Sequence, residues 1–96
     1  VVVVDNCSGD GSAETIAAAI EAEGWSGWAR LHPADVNGGF SYGNNCGIRP
    51  ALAAADPPDF FWLLNPDTEV RPGALRVLLD FLQARPRVGI AGSSFE

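Results

Sequence analysis

Cations are scarce in this chain: six Lys and Arg stand against twelve Asp and Glu, for a net charge of -6. Duplex binding rests on Lys and Arg neutralising phosphates, so a nucleic-acid partner is not expected. The acids are scattered, which excludes an acidic tail. An acidic protein still binds an anionic nucleotide when a metal or backbone N–H groups meet the phosphates. Two cysteines, Cys7 and Cys46, are too few and too far apart for a disulfide framework or a zinc site. Reduced thiols in a cytosolic setting are expected. Methionine is absent and the chain begins mid-strand in character with VVVV, so it reads as an internal piece of a larger protein. No signal peptide is recognisable, and no apolar run approaches the roughly 20 residues of a membrane span. Ninety-six residues make one domain at most.

What is present is organised. Residues 1–4 form a β-branched run without alternation, as in a strand covered on both faces. Residues 5–11 are turn-rich, and Ser12 is a candidate cap for a helix running to about Glu23, with Ile16 and Ile20 on one face and Gly24 as its stop. Residues 28–31 read as a second strand ending at His32-Pro33. Phe40, Asn44, Ile48, Leu52 and Ala55 then recur near helical spacing. Pro50 falls inside that pattern, so the helix either begins near it or bends. Residues 60–64 read as a third strand. Pro72 suits the first turn of another helix, whose Leu75, Leu78, Leu79 and Leu82 make an apolar stripe ended by Pro86. Residues 88–91 are a candidate fourth strand. The order βαβαβαβ with short connections predicts an α/β fold with a parallel sheet and flanking helices.

In such a sheet all strands end on one edge, where ligands bind. Three loops, DNCSGDGS, HPADVNGGFSYGNN and NPDTEV, should therefore line one crevice; all are rich in Asn, Asp, Gly and Ser. In the first, Asp5 either accepts a hydrogen bond from a base imide or ribose hydroxyl, or satisfies backbone N–H groups at the helix start. Residues 6–11 imitate an EF-hand loop, but the twelfth position is Ala17 and a strand precedes it. Gly9 and Gly11 imitate a dinucleotide fingerprint, but its third Gly falls on Glu14 and no acid ends the next strand. A calcium module and a Rossmann oxidoreductase are thereby set aside. In the middle loop, Gly38 and Gly39 permit close backbone approach to a ligand, and Asn45 supplies both a donor and an acceptor. Phe40 is expected to plug the core. Asn37, Gly39 and Asn45 are either ligand-side residues or parts of a flexible loop. The third loop follows the apolar run FWLL with Asn65-Pro66-Asp67-Thr68. A lone carboxylate with an amide two residues before it suits a hard divalent cation shared with substrate phosphates; Asn-Pro-Asp is also an ordinary turn former. His32 has no nucleophile-like neighbour in sequence, and Trp25, Trp28 and Trp62 read as packing residues beside apolar strands.

VVVVDNCSGDGS, NGGFSYGNNCGIRPAL and FFWLLNPDTEVRPGALRVLLDFL, in this order and spacing, resemble the nucleotide-binding half of family 2 glycosyltransferases with the GT-A (Rossmann-like) fold. The rhamnosyltransferase-like branch is the most similar, reading N-x-G-F, N-N-x-G and L-N-P-D-T in the same way. The resemblance covers nearly the whole chain. It implies a single partial domain over residues 1–96, with the family's opening strand absent from the start and a strand order 3-2-1-4. Residues 1–4 and 61–64 should then stand apart by roughly 9–10 Å, two inter-strand spacings, or close into a non-native pair. It implies a nucleotide-diphosphate sugar donor (dTDP-, UDP- or GDP-linked, leaning to dTDP-rhamnose) and a glycan or lipid-linked acceptor. Inversion at the sugar and a role in cell-envelope polysaccharide synthesis come with it, as does a cytoplasmic setting that includes the inner face of the membrane.

By the same resemblance, Asp5 matches the base-contacting carboxylate, with Asn6 beside it. Asn37, Gly39 and Asn45 match the second nucleotide-side loop. Asn65 and Asp67 match the D-x-D motif, with Asp67 the ligand of Mg²⁺ or Mn²⁺. Asn65 in place of the first Asp removes one negative charge at the metal. The catalytic base belongs downstream of residue 96, and the chain alone is expected to be inactive. The alternatives are a sugar-phosphate nucleotidyltransferase, whose Gly-rich, cation-bearing loop is not seen, and a non-catalytic nucleotide-sugar-binding module.

Overall fold

Two parallel strands, β1 (Val2–Asp5) and β2 (Arg30–Pro33), are joined through helix α1 (Ser12–Ala22) in a computed structural model that describes residues 1–93. The register sets Val2 beside Arg30, Val3 beside Leu31, Val4 beside His32 and Asp5 beside Pro33. The chain divides into two compact units, Val1–Leu63 and Leu64–Glu96.

In the first unit, helix α1 begins at Gly11, which takes a left-handed conformation (φ 86°) and offers no side-chain cap. Ser12 is thus the first helical residue and not the cap expected from sequence. The Asp10 carboxylate does that work, accepting the Ser12 backbone N–H at 2.9 Å. An anion at a helix N-terminus also meets the positive end of the helix dipole. Ile16 and Ile20 are half-buried on the helix face that sequence periodicity gives them. Gly24, again left-handed (φ 69°), ends the helix and leads into a 3₁₀ turn, Trp25–Gly27. Trp28 N–H closes that turn on the Trp25 carbonyl at 3.0 Å, and the two indoles pack with centroids 5.6 Å apart. The turn delays β2 by two residues from the expected start at Trp28.

Helix α2 (Phe40–Leu52) returns over β1. It begins ten residues before Pro50, so the expectation of a start near that proline fails. Pro50 lies in the last turn, where its missing N–H costs only the bond to Cys46 O near the helix end. Phe40 does not plug the core: it is 68% exposed. The inward face is made instead by Gly43, which is buried, and Gly47. A Cβ on Gly47 would lie 3.3 Å from Val4 Cγ2 and 3.8 Å from Val2 Cγ1; one on Gly43 would lie 3.4 Å from Asn6 Cγ. The helix therefore runs antiparallel to β1. Phe40 is one turn past Gly43, beyond the level of Asn6, where the strand has ended. Val2 and Val4 share the α2 side of the strand, which leaves Val3 for the other.

Residues 60–64 form no strand, contrary to the sequence expectation, and among the described residues β1 pairs only with β2. A strand forms only where a neighbour satisfies its N–H and C=O groups, and among the described residues nothing pairs with this segment. Its five side chains are 40–50% exposed. The non-native pairing of this run with β1 does not occur.

The second unit carries the turn at residues 65–68, closed by Thr68 N–H on the Asn65 carbonyl at 3.1 Å, and helix α3 (Ala74–Gln83). Pro66 sits at the turn position its fixed φ favours. Gly73 (φ 83°) precedes the helix, so Pro72 lies outside the first turn. Leu78, Leu79 and Leu82 are half-buried, whereas Leu75 is exposed. Arg85 closes the far end, its guanidinium 4.1 Å from the Phe81 ring centroid. Residues 88–91, expected as a strand, are irregular, with Ile90 91% exposed.

Candidate functional site

The carboxyl ends of β1 and β2 lie side by side, which brings the first two loops to one edge. Ala34 N–H donates to the Asp5 carbonyl at 2.8 Å, extending the pairing past Pro33. From that edge the chain turns into residues 6–11 on one side and 34–39 on the other.

Asp5 is half-buried, and its carboxylate is held from within its own loop. Ser8 backbone N–H donates to Oδ2 at 3.3 Å, and the Ser8 hydroxyl donates to Oδ1. Asp10 gathers the next layer, with Ser8 Oγ at 3.0 Å and Ser12 Oγ at 2.5 Å from Oδ1. The hydroxyl of Ser12, then its N–H, then the hydroxyl of Ser8 hold the Asp10 carboxyl below its ordinary 3.8. The backbone here is tightly wound: Cys7 (φ 57°), Gly9 (φ 67°) and Gly11 (φ 86°) all take left-handed conformations. Cys7 is exposed, and both cysteines are free thiols.

Asn6 ties the two loops together. Its Nδ2 donates to Asn37 Oδ1 at 3.2 Å and to the Gly39 carbonyl at 3.0 Å. Asn37 Oδ1 also accepts Gly39 N–H at 3.2 Å, a short turn closed by its own side chain. Gly39 has φ 84° and ψ -176°, a region open essentially to glycine alone. At Gly38 a Cβ would fall 2.3 Å from Tyr42 Cγ, so the Tyr42 ring presses directly on the loop backbone. Cys46, one turn on, raises the Tyr42 phenol above its ordinary 10.0, first electrostatically and then through their hydrogen bond. Asn45 is exposed on α2, and its neighbour Asn44 is turned back to the Phe40 carbonyl at 3.0 Å.

Of the residues expected from sequence, Asp5, Asn6, Asn37 and Gly39 are thus brought together at the end of β1. Asn45 lies on the helix that follows. Asn65 and Asp67 belong to the second unit, exposed in the turn at residues 65–68. Sequence reasoning missed the Tyr42–Gly38 contact and the roles of Gly43 and Gly47. The spacing of those two glycines, four apart on one helix, was the available signal.

Among the described residues no group of three His, Cys, Asp or Glu side chains could by itself hold a metal ion. The donor set at the turn, one carboxylate and one amide oxygen, suits a hard cation that completes its shell with phosphate oxygens and water. No helix among the described residues is long and apolar enough to cross a membrane.

Two parallel strands, a crossover helix and flanking helices define a small α/β fold, with polar loops gathered at the strand ends. The family profile described as Glycosyl transferase family 2 matches residues 1–96, and the chain belongs to that family. No curated protein and no solved structure matches the chain.

Proposed function

We propose that this chain is the donor-binding part of an inverting, metal-assisted glycosyltransferase of the rhamnosyltransferase-like branch. It takes a nucleotide-diphosphate sugar, dTDP-rhamnose first and UDP- or GDP-sugars next, and serves transfer to a glycan or lipid-linked acceptor of the cell envelope at the cytoplasmic face. The observation that carries the reading is the tie from Asn6 to Asn37 and Gly39. It joins two of the three motif loops at the sheet edge where nucleotides bind in such folds.

In this reading Asp5, Asn6, Asn37, Gly39 and Asn45 of the first unit serve the donor, as do Asn65 and Asp67 of the second. Asp5, oriented by Ser8, accepts a hydrogen bond from the base imide or a ribose hydroxyl. Gly39, lacking a Cβ, admits the ligand close to the backbone. Asn37, whose Oδ1 is taken by Asn6 and Gly39, offers its amide donors to the nucleotide, and Asn45 offers both a donor and an acceptor. Asp67, with Asn65 before it, holds Mg²⁺ or Mn²⁺ against the diphosphate. When bound, the cation neutralises charge that builds on the departing diphosphate, an effect larger in the transition state than in the ground state. The base that activates the acceptor hydroxyl is assigned to no Asp or Glu of this chain.

Calorimetric titration with UDP, dTDP and GDP in MnCl₂ tests the reading, alongside transfer assays of the complete enzyme with the matching sugar donors. Saturable, metal-dependent binding of at least one nucleotide is expected. Absence of binding by all three defeats the proposal.

A further inference from the structure

Asn6 sits where a ligand contact is expected, yet neither of its polar atoms is free to make one. The carboxamide has two N–H donors, and both have acceptors, at 3.2 Å on Asn37 Oδ1 and 3.0 Å on the Gly39 carbonyl. The carbonyl can only accept, so the orientation with nitrogen toward the loop is the one chemistry allows. The remaining atom, Oδ1, is buried and has no hydrogen-bond partner among the described residues. It lies 3.5 Å from the place a Cβ on Gly43 would occupy, shut in against α2. A buried acceptor without a partner is unfavourable. Here the orientation that leaves it so is the one that lets Nδ2 grip the loop.

The gripped loop has little freedom left. Gly39 is in a glycine-only conformation, Asn37 closes a turn on it, and Tyr42 presses on Gly38. Of these restraints only the one from Asn6 reaches across from the loop that follows β1. We propose that Asn6 is a positioning residue: it does not touch the donor but fixes residues 37–39 relative to Asp5, so that both sides of the nucleotide site are set before ligand arrives. The inference rests on the donor-site reading above and deepens it. Preorganisation of this kind raises affinity by removing an ordering cost at binding.

The test compares wild type with Asn6→Ala and Asn6→Asp in the full chain, by two measurements. The first is amide hydrogen exchange without ligand. The second is calorimetric binding of UDP, dTDP and GDP in MnCl₂. Asn6→Ala should speed exchange at residues 38–40 about tenfold or more, as loss of one to two hydrogen bonds entails, while β1 and β2 amides keep their protection. Nucleotide affinity should fall by a similar factor. Asn6→Asp places a carboxylate against two oxygens, so protection and affinity should both fall at neutral pH; acidification, which returns one O–H donor, should restore the protection. That variant decides the matter if Asn6→Ala does not fold.

Weaker binding with unchanged exchange at residues 38–40 would make Asn6 a direct contact and overturn the proposal. Faster exchange with unchanged affinity overturns it equally. If wild type binds none of the three nucleotides, the donor-site reading falls and takes the ligand role of Asn6 with it. The exchange data then still decide whether the grip itself exists.

Discussion

Gly47 lies so near Val4 that a Cβ at position 47 would stand 3.3 Å from the valine's Cγ2. The helix thus rests on the strand without an intervening side chain. We expect Gly47→Leu to force the two apart and lower stability by about 1–3 kcal/mol, the range for overpacked interiors. Gly43→Ala should behave oppositely. Its Cβ meets Asn6 at ordinary contact distances of 3.4–3.6 Å, and the exchange of Gly for Ala in a helix favours folding by up to about 1 kcal/mol. Urea denaturation of both variants checks the contrast; equal midpoints would show that the seam is not tightly packed.

Asp5→Ala should leave the fold intact and weaken nucleotide binding roughly 10–100-fold, the weight of one hydrogen bond to a charged group. Ser8→Ala should produce part of that loss in wild type and none in the Asp5→Ala background, because Ser8 acts through the Asp5 carboxylate. Additive losses measured by calorimetry would assign Ser8 a separate contact.

Asp67→Ala in the complete enzyme is expected to lower turnover by about 10²–10³, as for removal of one transition-state stabiliser. The residual rate should no longer respond to added Mn²⁺. Near-normal activity that also resists EDTA would remove Asp67 from the metal role.

Asp10 supplies a pH-dependent stability. Its folded carboxyl titrates below the ordinary 3.8 because Ser12 and Ser8 donate to the anion. Between the two values the unfolded chain binds more protons, so stability rises with pH there. The contribution is complete above the ordinary value and disappears as pH falls through the lowered one. Stability of wild type relative to Asp10→Asn should therefore shrink as pH falls through and below the ordinary 3.8. The effect is small because the group is exposed. A constant difference across that range, measured by thermal melts, would exclude the linkage.

The first half of the fold was legible because its signals are local. A β-branched run, a helix stopped by Gly24, and a strand ending at Pro33 each follow from short-range backbone chemistry. Residues 60–64 carry an equally strong apolar signal, but strand formation depends on a neighbour, and apolarity cannot say whether one is there. Phe40 misled for a related reason. Helical spacing placed it on the packed face, while its height along α2 put it past the end of β1. In the candidate site, residue types at Asp5, Asn37 and Gly39 were readable. The grip of Asn6 was not, since it joins positions 31 and 33 residues apart.

Cys7 bears a Cβ in a left-handed conformation, at φ 57°. Such a backbone disfavours an L-residue by about 1–2 kcal/mol, so the segment immediately after Asn6 holds a local preference against its own residue type. Glycine there would relieve the crowding but enlarge the freedom of the unfolded chain, leaving net stability little changed. Valine or isoleucine would clash and drive the peptide to rotate, dragging the neighbouring Asn6 out of alignment. The set of tolerated side chains at position 7 is therefore decided by main-chain sterics, even though its thiol faces open solvent.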